Sequence, residues 1–188
     1  DSVYFNRYGR YDSVGAYQSK ESPYFSWYNF REYPNKYESW WGFHTLPNIT
    51  EETPSYMDFI INNKDSVLHH WMECGISGWR LDVLDELPPG FSQAFYAELK
   101  KTDPDAVMLG EVWEDASNKN AYGVQREYLC GQETDSVMNY VFRQIVLDFL
   151  LGGADGKSAE RRVRSMQENY PAQNLYAMRN LLGSHDRE

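Results

Sequence analysis

The chain has 188 residues, the size of one ordinary domain or of part of a larger one, and 41% of them are hydrophobic, enough for a core. Its 18 basic and 28 acidic residues give a formal charge of −10. This argues against nucleic acid as a partner, because phosphate contacts need clustered Lys and Arg, and suits a neutral ligand better. No apolar run approaches the roughly 18 residues that span a bilayer, so no membrane partner is expected.

Cys74 and Cys130 form no C-x-x-C pair, which argues against a thiolate zinc site; free thiols are the simpler reading, with a disulfide left open. Aromatic residues make up 16% of the chain, and half of them fall within residues 1–43. Two readings of that concentration are compatible. An irregular segment can pack by burying rings, and flat rings can also stack on the C–H faces of sugars.

The first 50 or so residues show no sustained helical or strand period and are read as a long loop or small subdomain, 1–52. From residue 53 the pattern becomes regular. Thr53 and Pro54 suit a helix N-cap and first position. Ile60, Lys64, Val67, Leu68 and Trp71 then mark one helical stripe, which Gly75 ends. Residues 76–84 predict a strand with Trp79, Leu81 and Val83 on one face and Arg80 and Asp82 on the other. Pro88-Pro89-Gly90 predicts a loop, and Phe91, Phe95 and Leu99 a helix that Asp103-Pro104 stops. Residues 106–113 read as a buried parallel strand, apolar almost throughout until Glu111.

Residues 114–134 are polar and irregular. A short strand is expected at 136–141, then a helix on Phe142, Ile145, Val146, Phe149 and Leu150, closed by Gly152-Gly153. Ser158 is the expected cap of a helix carrying Ala159, Val163, Met166 and Tyr170. A last strand is expected at 175–182, running into Gly183-Ser184-His185-Asp186. Alternation of this kind predicts an α/β fold with a parallel sheet covered by helices, here 53–188.

Polar groups recur at the C-terminal ends of three of these strands: Arg80 and Asp82, then Glu111, then His185 and Asp186. Barrel enzymes assemble their sites at that end from several strands. A doubly wound sheet would more often carry a Gly-rich phosphate loop, and no G-x-G-x-x-G or Walker motif is present. Paired carboxylates suggest glycoside cleavage, in which a retaining enzyme holds its two carboxyl groups roughly 5 to 5.5 Å apart. One must be ionised to attack, and a cation beside it helps; the other must hold a proton, which an apolar setting favours. Arg80 beside Asp82 fits the first need, and Glu111 among Leu109, Gly110, Val112 and Trp113 fits the second. Singly, each has a plainer reading. An Arg-x-Asp is more often a structural ion pair, a strand-end Glu a solvated acid, and a His-Asp pair a turn feature. Their joint placement carries the argument.

The motifs are themselves recognisable. Gly78-Trp79-Arg80-Leu81-Asp82-Val83, Gly110-Glu111-Val112-Trp113 and Asn180-Leu181-Leu182-Gly183-Ser184-His185-Asp186 resemble three regions of the α-amylase family of glycoside hydrolases, family 13. Leu46-Pro47-Asn48-Ile49-Thr50 resembles a further short region in the domain inserted after that family's third barrel strand. The order agrees, as do the gaps of 29 residues (82 to 111) and 75 residues (111 to 186). The neopullulanase, cyclomaltodextrinase, maltogenic amylase and amylopullulanase branch is the nearest in form.

The resemblance implies part of a TIM (β/α)8 barrel, strands four to seven, with part of the inserted domain. It implies a retaining attack on α-glucosidic bonds, with an α-glucan as partner. Asp82 would then be the nucleophile, Glu111 the acid/base and Asp186 the carboxylate that stabilises the transition state. Arg80 would hold Asp82, and His185 would bond the sugar. Trp113 and Glu86 are candidates for flanking subsites. No cofactor is required; calcium is a candidate ion in the inserted domain, with no ligand named. Oligomeric state is left open, since the dimers of neopullulanase-like relatives use an N-terminal domain not seen here.

The family's first region, Asp-x-x-x-Asn-His, is missing, and strands one to three and eight are expected to lie outside this chain. Alone, it is expected to be poorly stable and inactive. Ser77 and Thr50 stand where many relatives have Asp and Asn, which bears on substrate preference. A non-catalytic relative on the same fold, a transglycosylase of the family and an unrelated metal-dependent barrel enzyme are the competing readings. The adjacent His69 and His70 point apart on a helix and are read as structural.

Overall fold

The computed structural model describes Asn6 and residues 8–187. The chain groups into two compact units, Asp1–Ile60 and Ile61–Glu188. The first takes in the helical turn after Pro54, which the sequence pattern assigns to the second.

In the first unit, strands β1 (Phe30–Glu32) and β2 (Lys36–Tyr37) form a short antiparallel hairpin, flanked by 3-10 turns at Phe25–Trp27 and Trp40–Gly42. Its rings pack largely against one another. Phe25 stacks on Phe30 at 5.1 Å, Tyr33 meets both edge-on, and Trp27 contacts Tyr56 and Phe59. Aromatic packing therefore accounts for much of the ring content, although Trp41 and Phe43 stay exposed. The turn α1 (Pro54–Met57) starts with Pro at its first position, while the Thr53 hydroxyl bonds the Ser26 carbonyl and caps nothing.

The second unit is built on a four-stranded, all-parallel sheet in the order β3 (Gly78–Leu81), β4 (Val107–Gly110), β7 (Ser136–Asn139), β8 (Arg179–Asn180). Neighbours in sequence are neighbours in the sheet, with no reversal of direction, as in an arc of a barrel. Helices α2 (Val67–Glu73), α3 (Pro89–Thr102), α4 (Tyr140–Leu150), α5 (Gly156–Asn169) and α6 (Ala172–Tyr176) connect and cover it, and a hairpin, β5 (Asn120–Ala121) and β6 (Val124–Gln125), rises between β4 and β7. Leu68, Leu81, Leu84, Phe95, Leu99, Met108, Val137 and Ile145 form the core.

Several elements differ from the sequence pattern. The single stripe from Ile60 to Trp71 is broken: Asp58–Asn62 is a π turn, and α2 begins only after Ser66, whose hydroxyl accepts the His69 N–H. The Asn63 side chain accepts the Asp65 N–H just upstream, a local bond that competes with the helix ladder. Trp71 is half exposed. Pro89 is the first residue of α3, not part of a loop. The carboxylate of Asp155, not Ser158, caps α5 by accepting the Ser158 N–H at 2.7 Å. The strand expected at 175–182 shrinks to Arg179–Asn180. Pro171 opens α6, whose buried Asn174 donates to the Asp135 carbonyl while its own carbonyl accepts from Ser136 Oγ. A helical turn satisfies those groups where a strand would strand them.

Candidate active site

The register of β3 and β4 levels their ends. Arg80 lies opposite Leu109, and Leu81 opposite Gly110. A Cβ on Gly78 would fall 2.3 Å from the Val107 carbonyl oxygen, so glycine permits this close approach. Beyond the strands the pairing continues: the Glu111 N–H donates to the Leu81 carbonyl at 2.9 Å, and the Leu84 N–H to the Glu111 carbonyl at 3.0 Å. Asp82 and Glu111 thus emerge side by side at the C-terminal end of the sheet.

Arg80 joins them. Its Nη1 donates to Asp82 Oδ1 at 2.5 Å, while Nη2 sits 3.0 Å from Glu111 Oε1. The second contact is electrostatic, because Nη2 has no hydrogen bond in this geometry. Sequence reasoning gave Arg80 to Asp82 alone; the guanidinium in fact serves both acids. The two carboxylates differ sharply in setting. The Glu111 side chain is 4% exposed, and that of Asp82 is 70% exposed. Glu111 is held by the Trp113 indole N–H, which donates to Oε1 at 3.0 Å, and by the Val83 backbone N–H, which donates to Oε2 at 2.9 Å. A buried carboxylate needs such partners.

Val83 adopts the left-handed region, with φ 44° and ψ 53°. For a β-branched residue this stores on the order of 1–3 kcal/mol and must be held by its surroundings. That turn aims the Val83 N–H at Glu111.

Asp186 lies on the segment following β8. It pairs with the exposed His185, 3.3 Å from Nε2 to Oδ2, and its N–H donates to Ser184 Oγ. The segment is tied towards β7 and α4 by Tyr140 Oη with Ser184 Oγ and by Arg143 Nε to the Leu182 carbonyl. Arg187 also stacks over the Trp113 ring at 4.5 Å. The structure therefore joins Asp82, Glu111, Arg80 and Trp113 directly, and brings the Asp186 segment to the same shell through Arg187 and Tyr140. Glu86 accepts from Tyr122 Oη at 2.8 Å. Tyr140, buried with its ring 5.5 Å from that of Trp113, was not singled out from sequence, which placed it inside the strand expected at 136–141, whereas it opens α4.

His69 bonds Asn63, Ser66, Glu98 and Thr102, which fits a structural role. Both cysteines are free. Among the described residues no group of three or more His, Cys, Asp or Glu side chains is arranged to hold a metal ion.

Residues 14–188 match the alpha-amylase catalytic domain family. The chain belongs to the α-amylase family. It is 36% identical to an amylopullulanase of Thermoanaerobacterium saccharolyticum over 99% of this chain and 16% of that protein. It is 34% identical to neopullulanase 2 of Thermoactinomyces vulgaris over 91% of this chain and 28% of that one. The chain therefore spans well under a third of these relatives. Among solved structures, the cyclic alpha-maltosyl-(1→6)-maltose hydrolase of Arthrobacter globiformis superposes with a TM-score of 0.78 at 27% identity, covering 91% of this chain and 38% of that one. The type III pullulan hydrolase of Thermococcus kodakarensis gives 0.76 at 30% identity, covering 90% and 29%. For a family whose catalytic domain is a TIM barrel, the parallel sheet found here is one part of that closed sheet.

Proposed function

We propose that the protein containing this chain is a retaining glycoside hydrolase acting on α-glucosidic bonds of starch-type glucans, maltooligosaccharides, pullulan or cyclodextrins. In this reading β3, β4, β7 and β8 are barrel strands four to seven, and the first unit is part of the domain inserted after strand three. The observation that carries the reading is one guanidinium shared by two carboxylates of opposite exposure at the C-terminal ends of adjacent parallel strands.

Asp82, the exposed carboxylate, attacks the anomeric carbon. The glycosidic C–O bond breaks, and the leaving oxygen takes a proton from Glu111, giving a covalent glycosyl-enzyme. Glu111 then takes a proton from water, the water oxygen attacks the anomeric carbon, and Asp82 departs as carboxylate. Arg80 keeps Asp82 oriented and accompanies whichever acid is ionised. Asp186 faces the positive charge that develops on the sugar ring, and His185 bonds its hydroxyls. Trp113 fixes the Glu111 rotamer and, with Glu86, borders the flanking subsites.

The test is hydrolysis of maltooligosaccharides, pullulan and cyclodextrin by the full-length protein and its Asp82→Asn and Glu111→Gln variants. The expected result is retention of configuration in the parent and a loss of several orders of magnitude in both variants. A parent inert on all three substrates, or variants that keep its activity, overturns the assignment.

A further inference from the structure

Lys119 sits in the excursion between β4 and β7, just before β5, and its side chain is 16% exposed. Its ammonium donates to Asp85 Oδ2 at 2.5 Å and also to Glu114. Asp85 stands three residues after Asp82, and Glu114 three residues after Glu111. One cation thus bridges the two segments that leave the paired acids. Burial lowers the Lys119 pKa, but the hydrogen bonds to Asp85 and Glu114 outweigh it and hold the group above the usual lysine value. The group is therefore a cation throughout the neutral range.

The same excursion grips the turn after Asp82 at further points. Tyr128 Oη donates to Asp85 Oδ1. Arg126 Nη1 donates to the carbonyls of Asp85 and Leu87, both at 3.1 Å, and Arg126 is itself anchored on Glu133 at 2.7 Å. The Arg126 N–H closes the hairpin onto the Lys119 carbonyl at 2.9 Å. The turn held in this way contains Val83, the residue kept in the left-handed region whose N–H holds Glu111. A strained turn relaxes unless its surroundings over-determine it.

We infer that Lys119 is a positioning residue for the Asp82–Glu111 pair, acting through Asp85 on the turn that carries Val83. The inference rests on the function proposed above. It assigns the excursion a role in catalysis that reaches Asp82, 37 residues earlier in sequence than Lys119.

The experiment compares the full-length protein with its Lys119→Met, Lys119→Arg and Asp85→Asn variants. Steady-state kinetics on maltotriose are read beside hydrogen exchange of the backbone amides at 83–87. The expected result for Lys119→Met is a fall in kcat of about tenfold or more with KM changed by less than about threefold, and faster exchange at 83–87. Lys119→Arg restores most of the rate, and Asp85→Asn repeats the loss should Lys119→Met not fold. A folded Lys119→Met with kcat within about twofold of the parent, or with unchanged exchange at 83–87, overturns the inference. If the parent itself is inert on α-glucans, the proposed function fails. Exchange then decides alone: faster exchange upholds the clamp, and unchanged exchange removes it.

Discussion

Glu133 and Arg126 are each 2% exposed and meet at 2.7 Å, so replacing Glu133 by Gln tests how firmly the excursion depends on one buried ion pair. Were the pair on the surface, its loss would cost about 0.2–1 kcal/mol. Breaking a buried pair leaves an uncompensated charge and costs about 3–5 kcal/mol. Arg126 retains the Asp85 and Leu87 carbonyls and lies 4.6 Å from the Tyr128 ring, which sets Glu133→Gln near the lower bound, about 3 kcal/mol. Arg126→Met is worse, about 4 kcal/mol, because Glu133 keeps only Ser92 Oγ, 3.4 Å away, and two carbonyls lose their donor. The double variant Arg126→Met/Glu133→Leu removes both charges and leaves only the carbonyls unmet. Its expected loss is about 1–2 kcal/mol, far below the sum of the singles. Urea unfolding of the full-length protein, compared at unchanged m-value, measures all three. A double variant as unstable as the two singles added together would refute the reasoning, since it would mean that the charges do not answer one another.

The two strand glycines should separate in severity. Gly78→Ala drives a Cβ against the Val107 carbonyl oxygen, which is backbone, whereas Gly110→Ala meets the Leu84 side chain, with Cδ2 nearest. The first is expected to cost about 3 kcal/mol and the second about 1 kcal/mol in unfolding free energy; equal costs would contradict the register argument. Trp113→Phe removes the donor to Glu111 Oε1 and is expected to lower kcat about tenfold with little change in melting temperature, read by kinetics and calorimetry. Tyr96 is pushed up to about 12 from the usual 10 by burial and then by its hydrogen bond to Asp135. The folded state holds this proton more tightly than the unfolded chain, so its contribution is complete below pH 10 and is lost as pH rises towards 12. Tyr96→Phe should flatten the alkaline fall of stability in that window, and an unchanged fall would count against the Asp135 pairing.

The parts of the fold readable from sequence were those set by strong, local alternation: the apolar run of β4, the body of β3 up to Leu81, after which the strand expected to 84 gives way to the Val83 turn, and the Phe91–Phe95–Leu99 stripe of α3. Two of the misreadings share a cause. At residues 60–66 and at the start of the strand expected at 175–182 an apolar pattern meets polar side chains bonded to backbone, Asn63 and Ser66 in one case and Asn174 in the other. Those bonds, not hydrophobic period, decided where α2 begins and that residues 172–176 form a helix. The same limit applies to the site. Arg80 and Asp82 are two residues apart and legible as a pair. The reach of Arg80 to Glu111 depends on strand register, and that of Lys119 to Asp85 on how a 21-residue polar stretch (114–134) folds back. Neither distance is written in any spacing along the chain.

The two ends of the sheet also handle carboxylates differently, and the contrast bears on which acids do chemistry. At the N-terminal end Asp135 is fully engaged: Oδ1 accepts from Tyr96, and Oδ2 accepts from the Met108 N–H at 2.7 Å and faces Lys100 at 2.9 Å. Both oxygens are taken up within the fold, and removing the side chain would loosen the β4–β7 junction. At the C-terminal end Asp82 shares one guanidinium and presents most of its surface to solvent, while its neighbour Glu111 is sequestered and held from three sides. A fold assembled for stability alone would have treated both ends as it treats Asp135. Spare accepting capacity on Asp82, set beside a strained turn at Val83 and an excursion that fastens that turn, is what the site proposed above requires.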